Sequence, residues 1–307
     1  MRSLAAGDFR DRVTFIIGPG RASGKTALLN AGLALLRAAG VKPAFLGMGF
    51  DGELKGGHEE ARPGRGARPS LPRIGVEPGE LFVSAESWIA TASIRPEIVA
   101  LLPGSGALGR LVLARAGRRG EVLLVGPDSN ESAREAVRLA REEGGASSVL
   151  VDGALDRVTQ VASVPGAGFL ATFRLDPIGL PALAAKMRLL SRLTGLETAG
   201  AGAVGNAEES VFSLEGPLTS STLETLPETA RTLVVEDFTK VFLDSGRLDK
   251  LERSRELRVR RRIDFGGFVV VLQGIKIEGL LAELGEGFPS ELLIANPFEA
   301  RASMAVA

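Results

Sequence analysis

Residues 13–26 read VTFIIGPGRASGKT, and the fold follows from that stretch. Val13–Ile17 is a short, continuous apolar and β-branched run that ends in Gly-Pro-Gly, as a strand buried on both faces of a parallel sheet does. Beyond the glycine-rich loop, Leu28, Gly32, Leu35, Leu36 and Ala39 fall at helical spacing, and Gly40 stands where a left-handed C-terminal cap belongs. Residues 43–48 then read as a second buried strand. Strand, loop, helix and strand in this order predict a βαβ unit with a right-handed crossover, and so an α/β protein.

The loop between the first strand and the helix, residues 18–26, carries the chemistry. Gly18, Gly20 and Gly24 let backbone N–H groups wrap phosphate oxygens, Lys25 supplies a positive charge to the β- and γ-phosphates, and Thr26 ligates Mg²⁺. With Ser23 these are the candidate cofactor-binding residues of a P-loop for ATP or GTP. Entry from a buried strand and exit into a helix is the context that separates such a loop from a chance match. The usual spacing would place its first glycine at position 19, which is Pro19 here, so the loop is one residue longer. That spacing resembles the loop of dethiobiotin synthetase and its relatives.

Composition narrows the function classes. Lys plus Arg and Asp plus Glu each total 37 in 307 residues, so no global field draws the protein to nucleic acid or to an anionic membrane. Hydrophobic residues at 45% and charged residues at 24% are ordinary globular values. With no cysteine, disulfides, thiolate metal sites and a catalytic thiol are excluded, which fits a reducing compartment. The N-terminus reaches Arg10, Asp11 and Arg12 before any apolar segment develops, and no apolar run approaches the roughly 18 residues of a membrane span. A cytoplasmic protein without a targeting segment is expected.

Downstream, residues 52–79 are Gly-, Pro- and Arg-rich and without period, which predicts a long loop or flap. Residues 81–84 read as a strand and 86–92 as the start of a helix. RLVLARA and EVLLVGP, joined by GRRG across residues 110–127, predict a β-hairpin insertion. An amphipathic helix over 132–143 and a third buried strand over 148–151 follow. Further strands are expected at 169–172, 211–214, 232–235, 268–272 and 292–295, with a helix over 181–193 whose proline sits in its first turn. The alternation predicts a mostly parallel sheet flanked by helices, P-loop NTPase-like. A boundary within LDPIGLP gives a nucleotide-binding domain over 1–176 and a C-terminal α/β extension or lobe over 177–307.

Other residues are weighed by position. Asp152 ends the third buried strand, where an acid holds Mg²⁺ directly or through water; a turn-capping role is the plainer alternative. Asp51 and Glu53, just past the second strand, are placed to ligate metal or orient water near the γ-phosphate, though Asp-Gly is also a common turn. Asp156 and Arg157 read as capping or surface groups. Asn296 before Pro297 could meet a base edge or simply form a turn. His58, the one histidine, excludes a multi-histidine metal site. Trp88 reads as core, and the arginines between 253 and 262, interleaved with Glu256, as a solvated face.

Several stretches together resemble one family, the KamB subunit of lysine 5,6-aminomutase reactivase: GPGRASGKT, GMGFDGE, LFVSAESWIATAS, GALGRLVLARA with EVLLVGPDSN, VLVDGALDR and TLVVEDFTKVF. Their order and spacing extend the resemblance over residues from about 13 to 295. The resemblance implies an accessory protein that restores an adenosylcobalamin-dependent aminomutase after cofactor damage, beside a MutS-like ATPase partner. On that basis Lys25 and Thr26 serve phosphate and Mg²⁺, Asp152 is the acid, and Asp51 and Glu53 belong to a shared motif of unassigned role; ATPase activity would be compatible. The segment LATFRLDP and the flap over 54–80 depart from the family pattern. An ATP-dependent ligase or carboxylase of the dethiobiotin synthetase type, and a non-hydrolysing nucleotide-binding module, are the alternatives.

Overall fold

The computed structural model describes residues 1–20, 23–49, 73–106, 108–153, 158–200 and 211–296. The chain begins with β1 (Arg2–Ser3), β2 (Val13–Ile17), α1 (Lys25–Ala38) and β3 (Ala44–Gly47). Then come β4 (Arg73–Val76), β5 (Leu81–Ala85), the short α2 (Glu86–Ile89), β6 (Glu97–Gly106), β7 (Gly109–Arg115) and β8 (Gly120–Leu123). α3 (Asn130–Glu142), β9 (Val149–Asp152), α4 (Thr159–Ser163), β10 (Gly168–Leu175) and α5 (Leu180–Thr194) follow. After these lie β11 (Val211–Ser213), α6 (Ser220–Glu224), β12 (Thr232–Val235), α7 (Ser245–Glu252) and β13 (Glu256–Val259). β14 (Asp264–Leu272), α8 (Ile277–Leu284) and β15 (Leu293–Ala295) are the last.

A ten-stranded sheet in the order β1-β15-β14-β10-β2-β9-β3-β5-β7-β6 organises the molecule. It is parallel from β1 to β5, and β7 runs antiparallel to both of its neighbours. The protein is thus α/β, with a mostly parallel, mixed sheet flanked by helices. The chain beyond residue 176 adds β14 and β15 to this sheet and forms a separate three-stranded parallel sheet, β11-β12-β13.

The side-chain alternation of each strand divides the core in two. Ile16, Phe45 and Leu150 face α1 and the β4–β8 ribbon, whereas Phe15, Leu46 and Val151 face α3, α4, α5, α8 and the smaller sheet. On α1, Leu28, Leu29, Leu33 and Leu36 are buried, each contributing about 1.5–3 kcal/mol of apolar burial. Gly32 lets that helix lie close: a Cβ there would sit 2.8 Å from Leu150 Cδ2 and 3.0 Å from the Phe9 ring. No helix among the described residues is long and apolar enough to cross a membrane.

The hairpin expected over 110–127 does not form. β7 pairs with β5 and β6, while β8 turns away and pairs with β4 in a two-stranded ribbon. The cause lies in the GRRG connection: Arg118 N–H donates to the Ile94 carbonyl at 2.8 Å, so the connection is fastened to the segment before β6 and β8 leaves the sheet plane. Among the described residues, β6 and β7, consecutive in the chain, pair antiparallel instead. Trp88, expected in the core, is half-buried and lines a cavity of about 230 Å³ with Phe82, Ile89 and Val122.

Candidate functional site

Loop 18–26 leaves the C-terminal end of β2 in the middle of the sheet. β2 feeds rightward to β3 and its neighbour β10 feeds leftward to β14, so the loop emerges at a topological switch point, where open α/β sheets bind ligands. A Cβ on Gly18 would overlap Ser23 Oγ and lie 3.0 Å from the Thr172 carbonyl oxygen. Only a residue without a side chain allows the loop to close there. Ser23 Oγ and Lys25 Nζ both donate to the Gly20 carbonyl, at 3.0 and 2.9 Å. Arg21 and Ala22 lie outside the described residues.

Gly24 has φ 101° and caps α1 in the left-handed conformation, which glycine adopts without steric cost. Lys25 opens the helix and is only 9% exposed. Its stem is packed and its ammonium is turned into the loop. The first intrahelical bond in this turn runs from Leu28 N–H to the Gly24 carbonyl at 2.9 Å. The N–H groups before it belong to the helix end that attracts anions. Thr26, on the same turn, is partly exposed.

Asp152 ends β9, the strand beside β2 on the side opposite β10, and its Cα pairs with that of Ile16. Its carbonyl accepts from Met48 N–H at 2.8 Å, and Gly153 N–H donates to the Ile16 carbonyl at 2.9 Å. The backbone of Asp152 is thereby fixed between β3 and β2, one strand from the loop. Lys25, Thr26 and Asp152 therefore share one edge of the sheet. Asp51, Glu53, His58, Asp156 and Arg157 lie outside the described residues. Asn296 is buried after β15, three strands from β2, or roughly 14 Å at ordinary strand spacing.

Two features at this edge were not singled out as parts of the site from sequence. Residues 126–127 are drawn onto the end of β3: Gly126 N–H donates to the Gly49 carbonyl at 3.1 Å and Gly49 N–H to the Pro127 carbonyl at 2.9 Å. Thr172 on β10 is 1% exposed, and its Oγ1 donates to the Ser23 carbonyl at 2.9 Å. A hydroxyl within the otherwise apolar run GFLATF was the available signal for it.

The arginine run divides in a way composition does not reveal. Arg261 donates to Asp237, which is buried, at 3.0 Å, and Arg258 pairs with Glu256 at 2.7 Å, which raises the guanidinium pKa through that hydrogen bond first. Arg253, Arg260 and Arg262 are exposed. The run contains β13, whose Leu257 and Val259 are buried while Arg258 points to the other face.

A cradle that any Cβ on Gly18 would fill, a left-handed glycine heading a helix and a lysine folded over the loop fit a phosphate group. Thr26 and Asp152 are hard oxygen donors of the kind Mg²⁺ takes in company with phosphate and water. Among the described residues there is no group of three or more His, Cys, Asp or Glu placed to hold a metal ion by themselves. No family model matches this chain, and no curated protein or solved structure is significantly similar to it.

Proposed function

We propose that this chain is a P-loop NTPase-like protein that binds a magnesium nucleoside triphosphate through loop 18–26, and uses it as an accessory protein in reactivating an adenosylcobalamin-dependent aminomutase of the lysine 5,6-aminomutase type. The observation that carries the nucleotide reading is Lys25: a nearly buried ammonium turned into a loop closed by Gly18 and Gly24. In this reading Lys25 exchanges the Gly20 carbonyl for phosphate oxygens, the first-turn N–H groups of α1 receive the remaining charge, and Thr26 and Asp152 hold Mg²⁺. The metal would neutralise phosphate charge when bound.

The accessory role is supported by the resemblance to the reactivase family, which includes a MutS-like ATPase partner. Such a role needs no covalent step on the target. It needs two conformations that bind the partner unequally, and a nucleotide that binds those conformations unequally.

Two substitutions test the site. Lys25→Ala should weaken binding of MgATP or MgGTP by about 10- to 100-fold in calorimetric titration, the range expected for losing a charge-assisted hydrogen bond. Unchanged affinity would remove the nucleotide reading. Asp152→Asn should abolish most of the difference in affinity between buffer with Mg²⁺ and buffer with EDTA; a difference as large as that of the unaltered protein would free Asp152 from the metal role. For the accessory role, nucleotide turnover should rise on adding the MutS-like ATPase and cobalamin-inactivated aminomutase. Turnover that depends instead on a small carboxylate or amine would point to the ligase alternative.

A further inference from the structure

We infer that Thr172, on the strand beside the loop, is a positioning residue that clasps both ends of loop 18–26 and sets the direction in which α1 presents Lys25 and Thr26. The inference rests on the nucleotide reading above, and goes beyond it by assigning a role to a residue outside every motif of the loop.

β2 and β10 pair in register from Thr14 with Gly168 to Ile17 with Ala171, and there β2 ends. β10 continues to Leu175 against β14. Thr172 is therefore the first residue of β10 to stand past the end of β2, where the loop replaces the strand as its neighbour. Its main chain meets the start of the loop, since its carbonyl oxygen lies 3.0 Å from where a Gly18 Cβ would be. Its side chain meets the end. Oγ1 donates to the Ser23 carbonyl at 2.9 Å and lies 3.0 Å from where a Gly24 Cβ would be.

The consequence is geometric. Gly24 holds φ at 101°, a conformation favoured by nothing in its own chemistry over the alternatives open to glycine. The peptide that precedes it begins at the Ser23 carbonyl, and Thr172 fixes that carbonyl. Fixing this peptide and the Gly24 torsions together fixes the axis of the first turn of α1. A buried hydroxyl requires a partner, and a buried carbonyl deprived of its donor loses its preferred orientation.

The test compares Thr172→Val, which exchanges the hydroxyl for a methyl at nearly constant volume, with Thr172→Ser, which keeps the hydroxyl. Affinities for MgATP and MgGTP are measured by calorimetry beside the unaltered protein and Lys25→Ala. Thr172→Val should bind about ten-fold more weakly, and Thr172→Ser should stay within about two-fold of the unaltered protein. Hydrogen exchange at the Leu28 amide, which donates to the Gly24 carbonyl, should quicken in the valine variant alone.

Equal affinity of Thr172→Val and the unaltered protein, or equal impairment of the serine and valine variants, would overturn the positioning role while leaving nucleotide binding intact. Failure of the unaltered protein to bind either nucleotide would remove the nucleotide reading and this inference with it. If Thr172→Val does not fold, exchange protection of the Leu28 amide in Thr172→Ser decides: retained protection supports the clasp, and lost protection overturns it.

Discussion

Arg37→Met should lower the unfolding free energy by about 3–5 kcal/mol in urea titration, the cost of leaving one partner of a buried ion pair alone. Arg37 stands in the last turn of α1, and its Nε and Nη2 reach the two oxygens of Glu80 at 2.6 and 2.7 Å. The pair is bidentate and asymmetric in burial: the side chain of Glu80 is 2% exposed and that of Arg37 is 28% exposed. Arg37 Nη2 also donates to the Gly75 carbonyl, and Glu77 N–H donates to Glu80, so the clasp ties the helix to β4 and to the turn before β5. The carboxylate hydrogen bonds hold the Arg37 pKa above its ordinary value despite partial burial.

Removing Arg37 leaves a charge in a dry site with one amide donor. Removing Glu80 leaves a guanidinium that can turn to water. Glu80→Leu should therefore cost less than Arg37→Met, and the double variant should recover part of the loss, a coupling that a double-mutant cycle reads directly. Equal costs for the two single variants would show that burial does not set the balance.

How far this architecture is legible in the sequence depends on the range of the interaction that decides it. β2, α1 and β3 are legible because their signals are local: an apolar β-branched run, glycines, and a helical spacing of leucines. Asp152 is legible as the end of a buried strand. The pairing of β7 and β8 is not, because two β-rich segments around a Gly-containing connection read as a hairpin, and the neighbours they take are set by strands met in three dimensions. β13 is hidden by the arginines within and around it, although Leu257 and Val259 alternate with Arg258 as a half-buried strand requires. The smaller parallel sheet escapes notice for a similar reason: β11 has only three residues, and its place beside β12 is a tertiary fact.

The candidate site divides along the same line. Gly18, Gly24, Lys25 and Thr26 are adjacent in sequence, and their joint chemistry is visible there. Thr172 acts on Ser23 across 149 positions, and no local pattern announces that contact. Gly126 likewise meets Gly49 from a distant part of the sequence, which leads to a second large effect.

Gly126→Ala should destabilise the protein by about 3 kcal/mol or more, at the upper end of overpacking substitutions, and weaken nucleotide binding as well. A Cβ at Gly126 would overlap the Gly47 carbonyl oxygen and approach the Met48 nitrogen to 3.0 Å. These are backbone atoms of a strand end, so no side chain can swing aside. Relief requires moving the end of β3 or breaking the Gly126 to Gly49 and Gly49 to Pro127 hydrogen bonds. Either movement reaches Asp152, because Met48 N–H is the donor to its carbonyl.

Gly47→Ala, on the other side of the same contact, supplies the control: its Cβ would meet Leu124 Cβ at 3.5 Å, an ordinary van der Waals distance. It should cost less than about 1 kcal/mol. Thermal and urea unfolding of the two variants, with the Mg²⁺ dependence of nucleotide affinity, separates packing from composition. Similar losses for both would mean that the end of β3 yields, and that the close approach of residues 126–127 does not hold Asp152 in place.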